Sequence, residues 1–179
     1  MKNLLITFFI FSNLFLFSQN KCKHVKSELD DMTGVEKIYT KTKELFAQIS
    51  DKDYTKVDYV NFSISHVKEK YILALALSSS FPIEVKDKEL LIKIDKDNFV
   101  KLKPIKTSSV TYNNGRFSTS VAYVLNQEDI LELSSNDIEK IRIYINDYYW
   151  QSTNHFTTRR SDRLKEMLIC LMEKVEDSK

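Results

Sequence analysis

The chain has 179 residues, of which 42% are hydrophobic, and its 27 basic and 25 acidic residues give a formal net charge of +2. This length is typical of one domain. Because charges of both signs are interleaved, no basic block attracts a polyanion, and we expect no nucleic-acid partner. The only glycines, Gly34 and Gly115, lie far apart. Phosphate-binding loops, dinucleotide fingerprints and nucleophile elbows all need clustered glycines, so the sequence excludes these three kinds of site.

Residues 1–18 differ in kind from the rest of the chain. Lys2 precedes an apolar run over residues 4–17, and Ser18 is a small residue before a polar stretch. This order is typical of a signal peptide, and the run is shorter than the roughly 20 residues of a membrane-spanning helix. We therefore expect cleavage after Ser18, with an uncleaved membrane anchor as the alternative. Cleavage leaves residues 19–179 as a single exported globular domain without membrane association, in the periplasm, at the cell surface or secreted.

The beginning of this domain gives mixed signals. Residues 22–32 are polar and predict an extended lead-in. A strand is predicted near residues 36–42, where β-branched and aromatic residues are frequent. Residues 44–50 fit either a helix or a strand, because their apolar residues could also form a helical stripe.

The most continuous apolar run outside the N-terminus lies at residues 71–80, and it predicts a buried strand. Residues 58–67 alternate in polarity, and the charged turn at residues 68–70 would join the two strands as a hairpin. The second strand has leucines on one face and isoleucine and alanines on the other, so we expect both faces to be covered. The last helix is the best candidate to cover the alanine face, although the assignment could be reversed.

Two more hairpins are predicted further along the chain. One joins residues 89–95 to a return strand that ends at Pro104. The other turns at Asn114 and Gly115, because both residues tolerate the positive φ angles of a type I′ turn.

The remaining elements are a short helix capped by Asn126, a strand at residues 138–145 and a C-terminal helix. The apolar residues of the last helix follow helical spacing: Leu164, Met167, Leu168, Leu171, Met172 and Val175. The whole pattern predicts a strand-dominated α+β fold, an antiparallel sheet of about seven strands built from hairpins with the C-terminal helix packed on it. A two-sheet sandwich with the helix at one edge is the alternative.

Cys22 and Cys170 are the only cysteines, and they lie near the two ends of the expected domain. Two cysteines in an exported protein predict a disulfide that joins these ends. Two unpaired thiols are the alternative.

Three adjacent aromatic residues, Tyr148, Tyr149 and Trp150, form the most suggestive local feature. They cannot all point into one core from a strand, so we expect at least one to be exposed. Aromatic rings with a polar rim suit a sugar, a lipid or a partner protein, which makes these residues candidate binding residues. The alternative is that they fill the junction between the last strand and the last helix.

Arg159 and Arg160, with Arg163, cluster at the beginning of the last helix. Cations at this end oppose the helix dipole, and a bound anion or a partner carboxylate would offset that cost. Arg159 and Arg160 are therefore further candidate binding residues. The alternative is that both precede the helix and face water.

The three histidines are His24, His66 and His155. A structural zinc site needs four ligands in close-spaced pairs, which the chain lacks, so we expect no metal and no cofactor. The sequence favours a non-catalytic exported domain that binds a partner protein or a small ligand. The alternative is a secreted hydrolase that uses one of these histidines with a nearby carboxylate.

Overall fold

The computed structural model describes residues 22–49, 57–85, 89–94, 98–105, 109–145, 148–152 and 158–178. The predicted signal peptide at residues 1–18 and His155 lie outside these described residues.

Within the described residues the chain forms eleven strands and two helices. The strands are β1 (Val25–Leu29), β2 (Glu36–Thr40), β3 (Lys43–Ile49), β4 (Val57–Val67), β5 (Lys70–Ser79), β6 (Leu90–Lys93), β7 (Phe99–Leu102), β8 (Ser109–Asn113), β9 (Arg116–Leu125), β10 (Lys140–Ile145) and β11 (Tyr148–Gln151). The helices are α1 (Gln127–Ser135) and α2 (Thr158–Asp177).

The strands divide into two antiparallel sheets. The larger has the order β1-β2-β4-β5-β9-β8, and β3 pairs with β4 beside this path. The smaller has the order β11-β10-β6-β7. The predicted strand-dominated α+β class, the antiparallel pairing and the C-terminal helix are confirmed. The expectation of a single sheet is wrong, because β6, β7, β10 and β11 pair with one another in a separate sheet.

The structure describes more strands than the sequence predicted, for two local reasons. The expected lead-in after Cys22 contains β1, whose register with β2 pairs Val25 with Thr40. The ambiguous residues near 44–50 form β3, which satisfies its backbone groups against β4 instead of within a helix.

The β4–β5 hairpin has the predicted position, with Phe62 opposite Leu75. Its turn uses positive φ angles at Lys68 and Glu69, 48° and 64°, although neither residue is glycine. The β8–β9 hairpin turns at Asn114 and Gly115, as predicted.

The two faces of β5 differ in burial. The face of Leu73, Leu75 and Leu77 is only 1% exposed at each residue, whereas the face that carries Ala74 and Ala76 is half-buried. The prediction that both faces are covered is therefore wrong. The buried leucines belong to the same apolar cluster as the inner residues of α2, so the helix lies on the leucine side of the sheet.

One apolar core joins both sheets and both helices. The inner face of the small sheet contributes Leu90, Ile92, Val100, Leu102, Ile141, Ile143, Ile145 and Trp150. Burial of each aliphatic side chain of this kind contributes about 1.5–3 kcal/mol, so the inner faces hold the two sheets together.

A disulfide joins Cys22, at the beginning of the described chain, to Cys170 on α2, with an S–S distance of 2.09 Å. The structure thus contains the predicted cysteine pair, which is consistent with an exported protein because such bonds persist outside the reducing cytosol. Neither described helix combines the length and the apolar character that a membrane span requires.

Candidate functional site

The outer face of the small sheet differs in composition from the inner face, which packs in the core. Because successive side chains of a strand point to opposite faces, every second residue of β6, β7, β10 and β11 points away from the core. We call these residues the aromatic–basic face: Leu91, Lys93, Phe99, Lys101, Lys140, Arg142, Tyr144, Tyr149 and Gln151.

Arg142 lies in the middle of this face, because its register pairs it with Gln151 on one side and Leu91 on the other. Its Nε and Nη2 both donate hydrogen bonds to Gln151 Oε1, at 3.0 and 2.8 Å. Its guanidinium carbon lies 4.3 Å from the centroid of the Tyr149 ring, a cation–π contact. The guanidinium group is therefore held flat against the sheet by two uncharged partners.

Aromatic rings flank Arg142 on the same face. Tyr144 and Tyr149 are opposite each other in register and meet edge-on, with ring centroids 6.1 Å apart. Tyr149 is 49% exposed, and Phe99 at the far edge of the sheet is equally exposed. Rings exposed to this extent offer apolar contact area to a binding partner.

The charge of this face is one-sided. Four of its nine residues are Lys or Arg and none is acidic. The nearest compensation described is Glu139, just before β10, whose Oε2 lies 2.6 Å from Lys93 Nζ. The described residues of this face therefore carry four positive charges and no negative one.

The structure separates the three adjacent aromatic residues of the sequence. Tyr149 lies on the aromatic–basic face, whereas Trp150 is 4% exposed and packs edge-on against Phe81 with ring centroids 6.5 Å apart. Tyr148 belongs to β11, but its side chain lies outside the described residues. One ring of the three is thus exposed to solvent and another fills the core.

The candidate arginines of the last helix lie within α2. The helix begins at Thr158, so Arg159 and Arg160 belong to its first turn. The interpretation that both precede the helix is therefore wrong. Their side chains lie outside the described residues, and a binding role for them stays a prediction.

A second cationic region, which we call the His24 pocket, lies between the beginning of the described chain and α2. It is a cavity of about 160 Å³. Its lining residues are His24, Val25, Lys43, Arg163, Glu166, Met167 and Cys170.

His24 is half-buried, and its Nδ1 has neither solvent contact nor a hydrogen-bond partner. Desolvation lowers the pKa of His24 from its usual 6.5 because the charged imidazolium loses hydration. Nearby positive charges lower this pKa further, and they belong to Lys43, Lys23, Lys41 and Arg163. The pocket thus combines several cations with an imidazole that is held neutral.

The other histidines give no catalytic cluster with His24 in the part of the chain that the structure describes. His66, on β4, contacts the ring of Tyr71 with centroids 4.7 Å apart. The alternative of a hydrolase that uses one of the three histidines with a nearby carboxylate stays a prediction. Among the described residues, one group of potential metal ligands lies within 4.8 Å, formed by Cys22, Cys170 and Glu173. Because both cysteines are oxidised, their sulfurs are not thiolate ligands.

Sequence reasoning did not identify the centre of either region. Arg142 and Gln151 lie on different strands, and only the strand alternation of residues 140–145 indicated that Arg142 faces outward. His24, Lys43 and Arg163 are distant in sequence and come together only through the fold.

No family model, curated protein or solved structure matches the chain.

Proposed function

We propose that this protein is an exported, non-catalytic domain that binds an acidic partner protein on its aromatic–basic face. The observation that carries the proposal is Arg142, which is stacked on Tyr149 and fixed by Gln151 in the middle of a face without carboxylates. An arginine that is already ordered loses little conformational entropy when a partner carboxylate binds it.

The chemistry of the face resembles that of protein interfaces. Tyr and Arg are enriched among the residues that contribute most to binding, and Lys is more common at the polar rim. Here Arg142 lies on the inner strand β10 with Tyr149 beside it on β11, whereas Lys101 lies on β7 at the opposite edge of the sheet. A small ligand requires a concave site, so an open sheet face favours a protein partner.

The N-terminal sequence and the disulfide support export. Residues 1–18 have the order of charged, apolar and small residues of a signal peptide. The bond between Cys22 and Cys170 is stable in an oxidising compartment. Both features agree with a domain that acts in the cell envelope or outside the cell.

Binding of a fluorescent poly-L-glutamate peptide to the purified exported protein tests this proposal. Fluorescence anisotropy should show saturable binding that weakens as salt screens the charges. Arg142→Glu should weaken the binding about a hundredfold, and Tyr149→Ala about tenfold, because each removes part of the central contact.

Lys174→Glu is the matched control, since Lys174 is an exposed residue in the last turn of α2 and the substitution changes the net charge by the same amount. Its affinity for the peptide should stay near that of the wild-type protein. Equal weakening by Lys174→Glu and Arg142→Glu would mean unspecific attraction and refute the proposal. Tighter binding of polygalacturonate than of the peptide, lost in Tyr149→Ala, would assign the face to an acidic glycan instead. If neither the peptide nor polygalacturonate bound, the proposal of an acidic partner on this face would also be refuted.

A further inference from the structure

The His24 pocket has walls from two distant parts of the chain. His24 and Val25 come from the beginning of the described chain, and Arg163 comes from α2. The disulfide between Cys22 and Cys170 joins the same two parts, two residues from His24. The pocket is therefore held in place by a covalent bond as well as by packing.

The charges around this pocket do not balance. Lys43 and Arg163 line it, and Lys23 and Lys41 are near enough to lower the pKa of His24. Among the lining residues Glu166 is the single acidic one, and it is exposed to solvent. The lining itself holds two cations and one exposed carboxylate, and Glu173 Oε2 lies 3.5 Å from Cys22 Sγ, outside the lining. The cavity therefore has an excess of positive charge, and Coulomb interactions beside a partly desolvated cavity are stronger than in water.

His24 contributes a titratable group to the lining of this cavity. Its Nδ1 is out of contact with solvent and has no hydrogen-bond partner. Buried polar atoms without a partner are uncommon, and Asp58 Oδ2 and Tyr123 Oη are two more among the described residues. The imidazole of His24 also lines the cavity, so its protonation would place a positive charge beside a bound anion.

We propose that the His24 pocket binds a small oxyanion through a carboxylate or phosphate group. Arg163 supplies a planar guanidinium group, whose fork of N–H donors matches the two oxygens of such a group. Lys43, on β3, adds a point charge to the lining. His24 lines the same cavity, and its imidazole adds a third positive charge beside the anion when it is protonated.

Binding of the anion is coupled to uptake of a proton. In the empty pocket, desolvation and the surrounding cations keep His24 neutral near pH 7. A bound anion compensates Lys23, Lys41, Lys43 and Arg163, whereas the charge of Glu166 remains, so protonation of the imidazole becomes favourable. The affinity for the anion therefore rises as the pH falls towards the range in which histidine titrates.

This inference does not rest on the aromatic–basic face, because the two regions share no residue. The poly-L-glutamate assay reports on that face, and small anions report on the pocket. Failure of one proposal leaves the other unaffected.

Isothermal titration calorimetry of the whole exported protein with inorganic phosphate, and separately with succinate, tests the pocket. We expect saturable binding of at least one of the two, and the preferred probe distinguishes a phosphate from a carboxylate ligand. Arg163→Gln should weaken this binding about tenfold or more, because it removes the charged fork. Lys174→Gln, on the same helix and with the same loss of charge, should leave it unchanged.

Titration in buffers of different ionisation enthalpy measures the proton. The wild-type protein should take up more protons on binding than His24→Gln does, because phosphate also exchanges a proton near neutral pH and this contribution is common to both proteins. A thermal unfolding scan of each variant establishes that it is folded before the affinities are compared. Absence of binding of both anions, an unchanged affinity in Arg163→Gln, or an equal loss in Lys174→Gln would overturn the proposal. Binding without a His24-dependent proton would overturn the coupling of anion binding to the protonation of His24.

Discussion

The cations of the aromatic–basic face stand on an open sheet, whereas those of the His24 pocket surround a cavity. Arg142 is held by an amide oxygen and an aromatic ring, and its charge is directed towards solvent. Arg163 and Lys43 instead line about 160 Å³ of space beside a neutral histidine. Similar charges can thus serve different ligands, because an open face meets an extended surface and a cavity admits only a small ion.

Removal of the disulfide should have the largest effect on stability. It also distinguishes the two regions, because the bond joins walls of the His24 pocket and does not touch the aromatic–basic face. The cysteines are 148 residues apart, and a closed loop of this length restricts the unfolded chain by about 5 kcal/mol in the entropy model. Cys22→Ser with Cys170→Ser should lower the free energy of unfolding by up to this amount. Urea denaturation at equilibrium measures the difference.

The same double variant should lose anion affinity but keep its binding of poly-L-glutamate, provided that both assays use conditions in which it is folded. Wild-type protein treated with a reductant is the control, since it opens the same bond without a change of sequence. Unchanged affinity for the anion would show that strand pairing and helix packing alone hold the pocket.

The next effect separates two neighbouring residues of β11. Trp150→Ala should cost about 3–5 kcal/mol, because it empties a buried position against Phe81. Tyr149→Ala should cost only about 0.5–1 kcal/mol, the value of an exposed cation–π contact with Arg142. Thermal and urea unfolding of the two variants give both values.

Trp150→Ala should lose more stability than Tyr149→Ala, but Tyr149→Ala should lose more affinity for the peptide. Tyr149→Ala should weaken binding of the peptide, whereas folded Trp150→Ala should bind it nearly as well as the wild-type protein. A large loss of stability in Tyr149→Ala would mean that this ring is a structural part of the sheet, and the distinction between the two faces of β11 would fail.

The burial of Val60, Phe62 and Ile64 on β4 and the turn of β8–β9 show what the sequence could predict. Alternation in polarity reports which face of a strand is buried, and Asn114-Gly115 reports a tight turn, because both are local consequences of backbone geometry. The same rule identified the β4–β5 hairpin. Residues 44–50 remained ambiguous because a helix and a strand both bury their apolar residues, and only the pairing with β4 decides between them.

The candidate sites depended on long-range arrangement and were less predictable. The sequence indicated that one residue of Tyr148, Tyr149 and Trp150 is exposed, but not which one, because the register of β11 with β10 decides it. Arg163 was noted for its place near the beginning of a helix. Its proximity to His24 follows from the packing of α2 against the β1 region, which no local pattern encodes.

Arg116 differs from the cations of both regions, because it forms a salt bridge with Asp58 of the same chain. Its Nη2 donates to Asp58 Oδ1 at 3.1 Å, and the Asp58 side chain is fully buried. Asp58→Ala should cost about 1–3 kcal/mol, since it removes a hydrogen bond to a charged group. Solvent screens part of this interaction, because the Arg116 side chain is 38% exposed.

Glu139→Ala is the matched control for this buried carboxylate. Glu139 pairs with Lys93 at the surface, and exposed pairs of this kind contribute about 0–1 kcal/mol. Urea denaturation compares the two variants, and binding of phosphate should be unchanged in both. If Asp58→Ala bound the anion less well, the pocket would depend on charges beyond its own lining.

The smallest expected effect is a pH dependence of stability, and it should come from the His24 pocket and not from the aromatic–basic face. The pKa of His24 is lower in the folded protein than its usual 6.5, so the unfolded chain binds more protons in the interval between these two values. Stability without an anion should therefore fall as the pH drops through about 6.5 and level off below the folded pKa. Asp30, whose pKa is lowered from 3.8 mainly by a backbone hydrogen bond from Thr33, acts below this window.

Urea denaturation between about pH 7.5 and 5.5 should show this slope in the wild-type protein and a smaller one in His24→Gln. Added phosphate should reduce the slope of the wild-type protein, because a bound anion favours the protonated imidazole. The aromatic–basic face contains no histidine, so its affinity for poly-L-glutamate should stay constant over the same interval. If the slope were the same in both proteins, the pKa of His24 would be equal in the folded and the unfolded state. That result would contradict the desolvation of His24 in the pocket.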